Sequence, residues 1–154
     1  MRRPFHAAIL ATALALTAHG AAGAAIEVTD DQGQTLRLAH PATRIVSLAP
    51  HVTELLFAAG AGERMVGAVQ YSDYPEAARK LPRVGGYTSV DMEKVVALKP
   101  DLVVAWKSGN RDAHLDKLRA LGIPVFVNEP RRIDDVARSL AQFGRLAGSD
   151  AAGE

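Results

Sequence analysis

The chain has no cysteine, and its large rings are few: one tryptophan, three tyrosines and four phenylalanines in 154 residues. The first absence excludes a disulfide scaffold and lipid attachment through a thiol. The second makes the position of each ring informative. A surplus of charge is also missing, since 18 Lys and Arg stand against 17 Asp and Glu. Basic residues such as Arg131 and Arg132 are interspersed with acids, which argues against a nucleic-acid footprint. Catalytic and metal motifs are lacking as well. No HxxH or HExxH spacing groups the histidines, SLAPH is not the GxSxG serine elbow, and VGGYTS carries neither a full GxGxxG nor a lysine-bearing phosphate loop. Asp73 and Asp91 could act as a carboxylate pair only if their loops met. These absences favour binding over catalysis.

Long apolar runs are missing except at the start. Arg2 and Arg3 precede the uncharged stretch AAILATALALTA, and AAGAA supplies small residues for cleavage after Ala24. This is the pattern of a secretory signal peptide over residues 1–24. The apolar run is shorter than the roughly 20 residues of a spanning helix. A soluble exported or periplasmic product is therefore expected, and without Arg2 and Arg3 it stands within about one charge of neutral.

The rest of the chain has a composition suited to a packed core, with 48% hydrophobic residues. IEVTDDQGQTLRL alternates on both sides of DDQG and predicts a hairpin. RIVSLAP predicts a strand ending at Pro50, followed by the helix HVTELLFAAG with Val52, Leu55, Leu56 and Ala59 on its apolar face. RMVGAV predicts a strand, QYSDYP a polar aromatic loop in which one tyrosine ring is exposed while the other braces the turn, and EAARK a short helical turn. RVGGYTS leads into a helix capped by Asp91 and ending before Pro100. DLVVAW, KSGN and RDAHLDKLRALG form the clearest strand, loop and helix, with Leu115, Leu118 and Leu121 as the covering face. IPVFV is a further strand, NEP a turn, and residues 133–146 a helix. Together these predict an α/β domain with a largely parallel sheet flanked by helices and a short N-terminal hairpin.

Ligands of such sheets bind beyond the carboxyl ends of the strands. The candidates there are Pro50 and His51, Tyr71 and Tyr74, Tyr87 behind two glycines, and Trp106 at the mouth of its strand. Trp106, Tyr71 and Tyr87 together offer an aromatic recess for a broad, flat ligand. His51 could ligate a metal or complete polar contacts near a helix start. His114 reads as peripheral on its helix and His40 as a loop residue. Glu54 is a lone acid on a small, apolar helix, suited either to helix-end stabilisation or to pairing with a partner's arginine.

The segments RIVSLAPHVTELLFAAG, VQYSDYPEAARKLPRVGGYTSVDMEKVVALKPDLVVAWKSGN and LRALGIPVFV, spanning about residues 44–127, resemble the periplasmic cobalamin-binding proteins of vitamin B12 importers. These lie within the wider class of iron-complex, haem and cobalamin substrate-binding proteins. The resemblance implies a two-lobed, monomeric receptor that passes cobalamin or a related corrinoid to an inner-membrane ABC permease. It implies that residues 25–146 are the N-terminal ligand-binding lobe, that residues 147–154 begin the interlobe helix, and that the second lobe is not in this chain. Tyr71 and Trp106 then match aromatic positions that contact the corrin. Tyr87 stands where a cobalamin binder often has tryptophan. Pro50 and His51 match the first ligand-facing loop, with His51 departing from the small residue expected there. Glu54 matches the acid that docks to permease arginines. Within the same class, a haem or ferric-chelate receptor with Tyr87 as iron ligand is the alternative. Outside it stands an α/β interaction module that carries no small molecule.

Overall fold

The DDQG turn is built by its own first acid. Asp30, buried at the base of the turn, accepts the backbone N–H groups of Gln32 and Gln34 on Oδ1 at 2.9 and 2.8 Å. This closes the antiparallel pair β1 (Ile26–Thr29) and β2 (Thr35–Leu38). A computed structural model describes residues 25–149. The expected signal peptide, and most of the segment expected to begin an interlobe helix, lie outside the described residues.

The continuous apolar runs become a four-stranded parallel sheet in the order β4-β3-β5-β6. Its strands are β3 (Ile45–Ser47), β4 (Met65–Ala68), β5 (Leu102–Trp106) and β6 (Val125–Asn128). Strands covered on both faces read as unbroken hydrophobic runs because alternate side chains enter two different cores. Ile45, Leu102, Val104 and Phe126 join one core with Val52, Leu56, Phe143 and Leu146. Val46, Val103, Ala105, Val125 and Val127 join the other with Val95, Leu115 and Leu118. The helices supplying these partners are α1 (Pro50–Ala58), α2 (Met92–Ala97), α3 (Asp112–Ala120) and α4 (Ile133–Ala147). EAARK forms a single 3₁₀ turn, Glu76–Lys80.

Asp91 caps α2 as expected, its side chain accepting the Lys94 N–H. Three local expectations change. β3 ends at Ser47 and Pro50 is the first residue of α1 rather than the end of a strand, because the missing N–H of proline costs nothing in the first helical turn. Leu121 does not cover the sheet. It is 54% exposed, since α3 ends at Ala120 and Gly122 turns the chain with φ 75°. In QYSDYP neither ring braces the turn, as Tyr71 and Tyr74 are 75% and 70% exposed. Among the described residues, no helix is long and apolar enough to cross a membrane.

The chain runs from β3 outward to β4, then returns past β3 to β5 and β6. The connections therefore reverse direction between β3 and β5. A crevice opens at such a reversal, beyond the carboxyl ends of the two strands.

Candidate functional site at the carboxyl edge of the sheet

Trp106 is the last residue of β5 and stands at this reversal. Its indole meets the His51 imidazole edge to face, with centroids 5.3 Å apart and planes at 84°. Tyr87 also leans against it, centroids 5.7 Å apart and planes at 53°. The start of α1, the segment between β4 and α2, and the end of β5 thus contribute one ring each to a single cluster. Gly109 lets the indole lie close against the chain: a Cβ there would sit 1.9 Å from Trp106 Cε3. Gly85 holds φ 92° in the loop that leads to Tyr87, a conformation suited to glycine.

A recess of about 380 Å³ opens beside the cluster, lined by His51, Glu54, Leu55, Trp106, Pro130 and Val136. Sequence reasoning placed His51 and Trp106 on the ligand side and gave Glu54 to docking, while Pro50, Tyr71 and Tyr87, also expected to face the ligand, do not line this recess. It missed Leu55 as a lining residue, having assigned it to the core, and it missed Pro130 and Val136. Their one sequence signal is that NEP follows directly on a buried strand and so falls at the same edge.

Tyr71 lies at this edge too, in the loop after β4, with φ 65° and its ring in solvent. Among the described residues it forms no ring pair with Trp106, His51 or Tyr87. Its loop is nonetheless fixed. The neighbouring Ser72 hydroxyl is buried 3.0 Å from Thr53 Oγ1, which lies 2.9 Å from Ser47 Oγ, and Ser47 donates to Ala49 O at 2.9 Å. This run of hydroxyls ties the Tyr71 loop to the end of β3 and to α1.

Pro50 starts α1 and contributes its fixed φ rather than a polar contact. Glu54 is exposed one turn further on, and the first turn of α1 holds no acidic residue. The field of the helix N-terminus fades within that first turn, so it explains Glu54 poorly.

Glu129 brings a second carboxylate to this edge. It accepts the Ser108 N–H at 3.0 Å and the Ser108 hydroxyl, with Arg131 Nε 3.7 Å away. Burial works to raise its carboxyl, but the two Ser108 hydrogen bonds, Arg131 and His51 outweigh it and hold the group below the ordinary range. At His51 burial dominates. It pushes the imidazole below its ordinary 6.5 despite the opposing pull of Glu129, Glu54 and Asn128. Among the described residues the buried Nε2 of His51 has no hydrogen-bond partner, and the ring packs edge-on against Trp106. Asp73 pairs with Arg83 at 3.3 Å while Asp91 caps α2, so the two acids serve separate local roles. Among the described residues no group of three or more His, Cys, Asp or Glu is placed to hold a metal ion.

Residues 45–154 match a family described as periplasmic binding protein. The chain belongs to the periplasmic binding protein family. A vitamin B12-binding protein of Yersinia pestis (strain Pestoides F) is 48% identical over 109 residues, covering 71% of this chain and 39% of its own length. The crystal structure of the periplasmic vitamin B12 binding protein BtuF of Vibrio cholerae superposes with a TM-score of 0.70 at 40% identity, covering 73% of this chain and 44% of that one. A periplasmic heme binding protein from Pseudomonas aeruginosa superposes with a TM-score of 0.68 at 25% identity, covering 73% and 40%. This periplasmic binding protein chain thus spans about two-fifths of the length of the curated relative it matches, and its fold corresponds to one lobe of such proteins.

Proposed function

We propose that this chain forms the first lobe of an exported receptor that captures cobalamin or a related corrinoid and delivers it to an inner-membrane ABC permease. The observation that carries this reading is the cluster of His51, Trp106 and Tyr87 at the reversal point of the sheet. Rings held by a helix start, a loop and a strand end present apolar area with little further ordering on binding, which suits a broad, flat macrocycle. The 48% identity to a vitamin B12-binding protein supports the choice of ligand.

A recess of about 380 Å³ is near the lower limit for a small-molecule site. It serves as one wall, against which a macrocycle lies, and Tyr71 extends that wall from the next loop. The opposite face of the ligand is met by the second lobe. Glu54, exposed at the rim of the recess, is the acid available to arginines of the permease. The role is capture and delivery, with no bond made or broken, and the working form is a monomer exported by residues 1–24.

The likeness to a heme binding protein favours a second ligand within the same reading. Tyr87 is 38% exposed, and a phenolate can coordinate haem iron. Parallel titration of the full-length protein with cobalamin and with haem separates the two. The corrinoid reading expects the tighter binding to cobalamin. Tighter binding to haem, with an iron-associated absorption band lost in Tyr87→Phe, would replace it.

A further inference from the structure

Asn110 lies four residues past the end of β5 and is 6% exposed. Its Nδ2 donates to Leu48 O at 2.9 Å and to Tyr87 O at 2.8 Å. Its Oδ1 accepts the backbone N–H of Trp106 at 2.7 Å, and its own backbone N–H donates to Trp106 O at 2.9 Å. A carboxamide offers two N–H donors and one carbonyl acceptor. Both donors and the acceptor are engaged here, and two carbonyl partners against one N–H partner fix which way the amide points.

The three partners belong to three different parts of the sheet's carboxyl edge. Leu48 follows β3, Tyr87 lies between β4 and α2, and Trp106 ends β5. We infer that Asn110 is the positioning residue of the ligand wall, setting Trp106 and Tyr87 against each other and against the β3–α1 junction that leads to His51. The inference rests on the corrinoid reading for its consequence in affinity, but the placement of the rings can be judged without any ligand.

Other side chains fail at this position for stated reasons. Alanine leaves Leu48 O and Tyr87 O without their donor. Aspartate sets carboxylate oxygens against two carbonyl oxygens. That arrangement, with burial, raises the carboxyl's pKa. On acidification the neutral acid regains one O–H donor, so Asn110→Asp is repaired by protons and Asn110→Ala is not.

The test uses the full-length protein and two readouts: cobalamin affinity, and the indole N–H resonance of Trp106, identified by its loss in Trp106→Phe. At about pH 7.5 both Asn110→Ala and Asn110→Asp weaken cobalamin binding by roughly tenfold or more and shift the Trp106 resonance before ligand is added. At about pH 5 Asn110→Asp recovers part of both, relative to the parent at the same pH, and Asn110→Ala recovers neither. Affinity within about twofold of the parent in both variants overturns the inference. So does weakened binding with the Trp106 resonance unmoved, which is the mark of general destabilisation. If Asn110→Ala does not fold, the pH titration of Asn110→Asp decides alone. A parent protein that binds no cobalamin ends the corrinoid reading, and the ligand-free resonance then still supports or refutes the positioning role.

Discussion

His51 meets Trp106 edge to face with ring centroids 5.3 Å apart, which joins the start of α1 to the end of β5 across the point where the sheet connections reverse. Edge-to-face pairs of this kind contribute about 0.5–1.5 kcal/mol beyond the area they bury. The contact uses the neutral imidazole, because burial holds the ring below its ordinary 6.5.

That depressed value sets the direction of a pH effect. The unfolded chain takes up the His51 proton first as pH falls below about 6.5, so stability falls from there down through the lowered folded value. Asp91, Glu129 and Asp135 are held below their own ordinary carboxyl values and titrate in a more acid window. Urea unfolding between about pH 7.5 and 5.5 should show stability declining in the parent and declining less steeply in His51→Gln. Equal slopes in the two proteins would contradict the assignment.

Gly109 gives the Trp106 ring its place. With a Cβ there 1.9 Å from Cε3 and 2.3 Å from Cζ3 of the indole, Gly109→Ala forces the ring outward. The expected cost is about 1–3 kcal/mol of stability, with increased access of a quencher such as acrylamide to Trp106. Parent-like quenching would show that the ring has room to spare.

The hairpin, the strand order of burial and the helix cap at Asp91 were legible in the sequence because each depends on local spacing. Asp30 serves residues two and four positions away. The alternation of Val103 and Val104 between two cores follows from the pleat. Pro50 misled because a proline after a strand reads as extended chain, and only the helix that follows shows that it occupies the first turn. Leu121 misled because periodicity does not mark the residue at which a helix stops. The role of Asn110 was illegible, since its partners Leu48 and Tyr87 are 62 and 23 residues away. KSGN looked like an ordinary turn for that reason. The sequence put Trp106, Tyr87 and His51 at one edge, but not the ring contacts that set Tyr71 apart from them.

Thr53 should be sensitive to loss of its hydroxyl alone. Thr53→Val keeps the volume and removes the oxygen that lies 2.9 Å from Ser47 Oγ and 3.0 Å from Ser72 Oγ, all three residues being buried. The expected loss is about 1–3 kcal/mol in chemical denaturation, with faster amide exchange in the Tyr71 loop. Unchanged exchange there would mean that the hydroxyl run does not hold the loop.

Glu54 separates ligand capture from docking. Glu54→Gln keeps the size of the side chain at the rim of the recess and removes its charge, so association of the full-length protein with the permease should drop at least tenfold while cobalamin affinity changes far less. Association at the parent level would remove Glu54 from the docking surface.

Whether Trp106 forms the ligand wall is decided by the cobalamin affinity of full-length Trp106→Ala beside the parent, with circular dichroism recording the fold. The expected result is an intact fold and affinity lower by roughly tenfold to a hundredfold. An intact fold with parent-like affinity would contradict it.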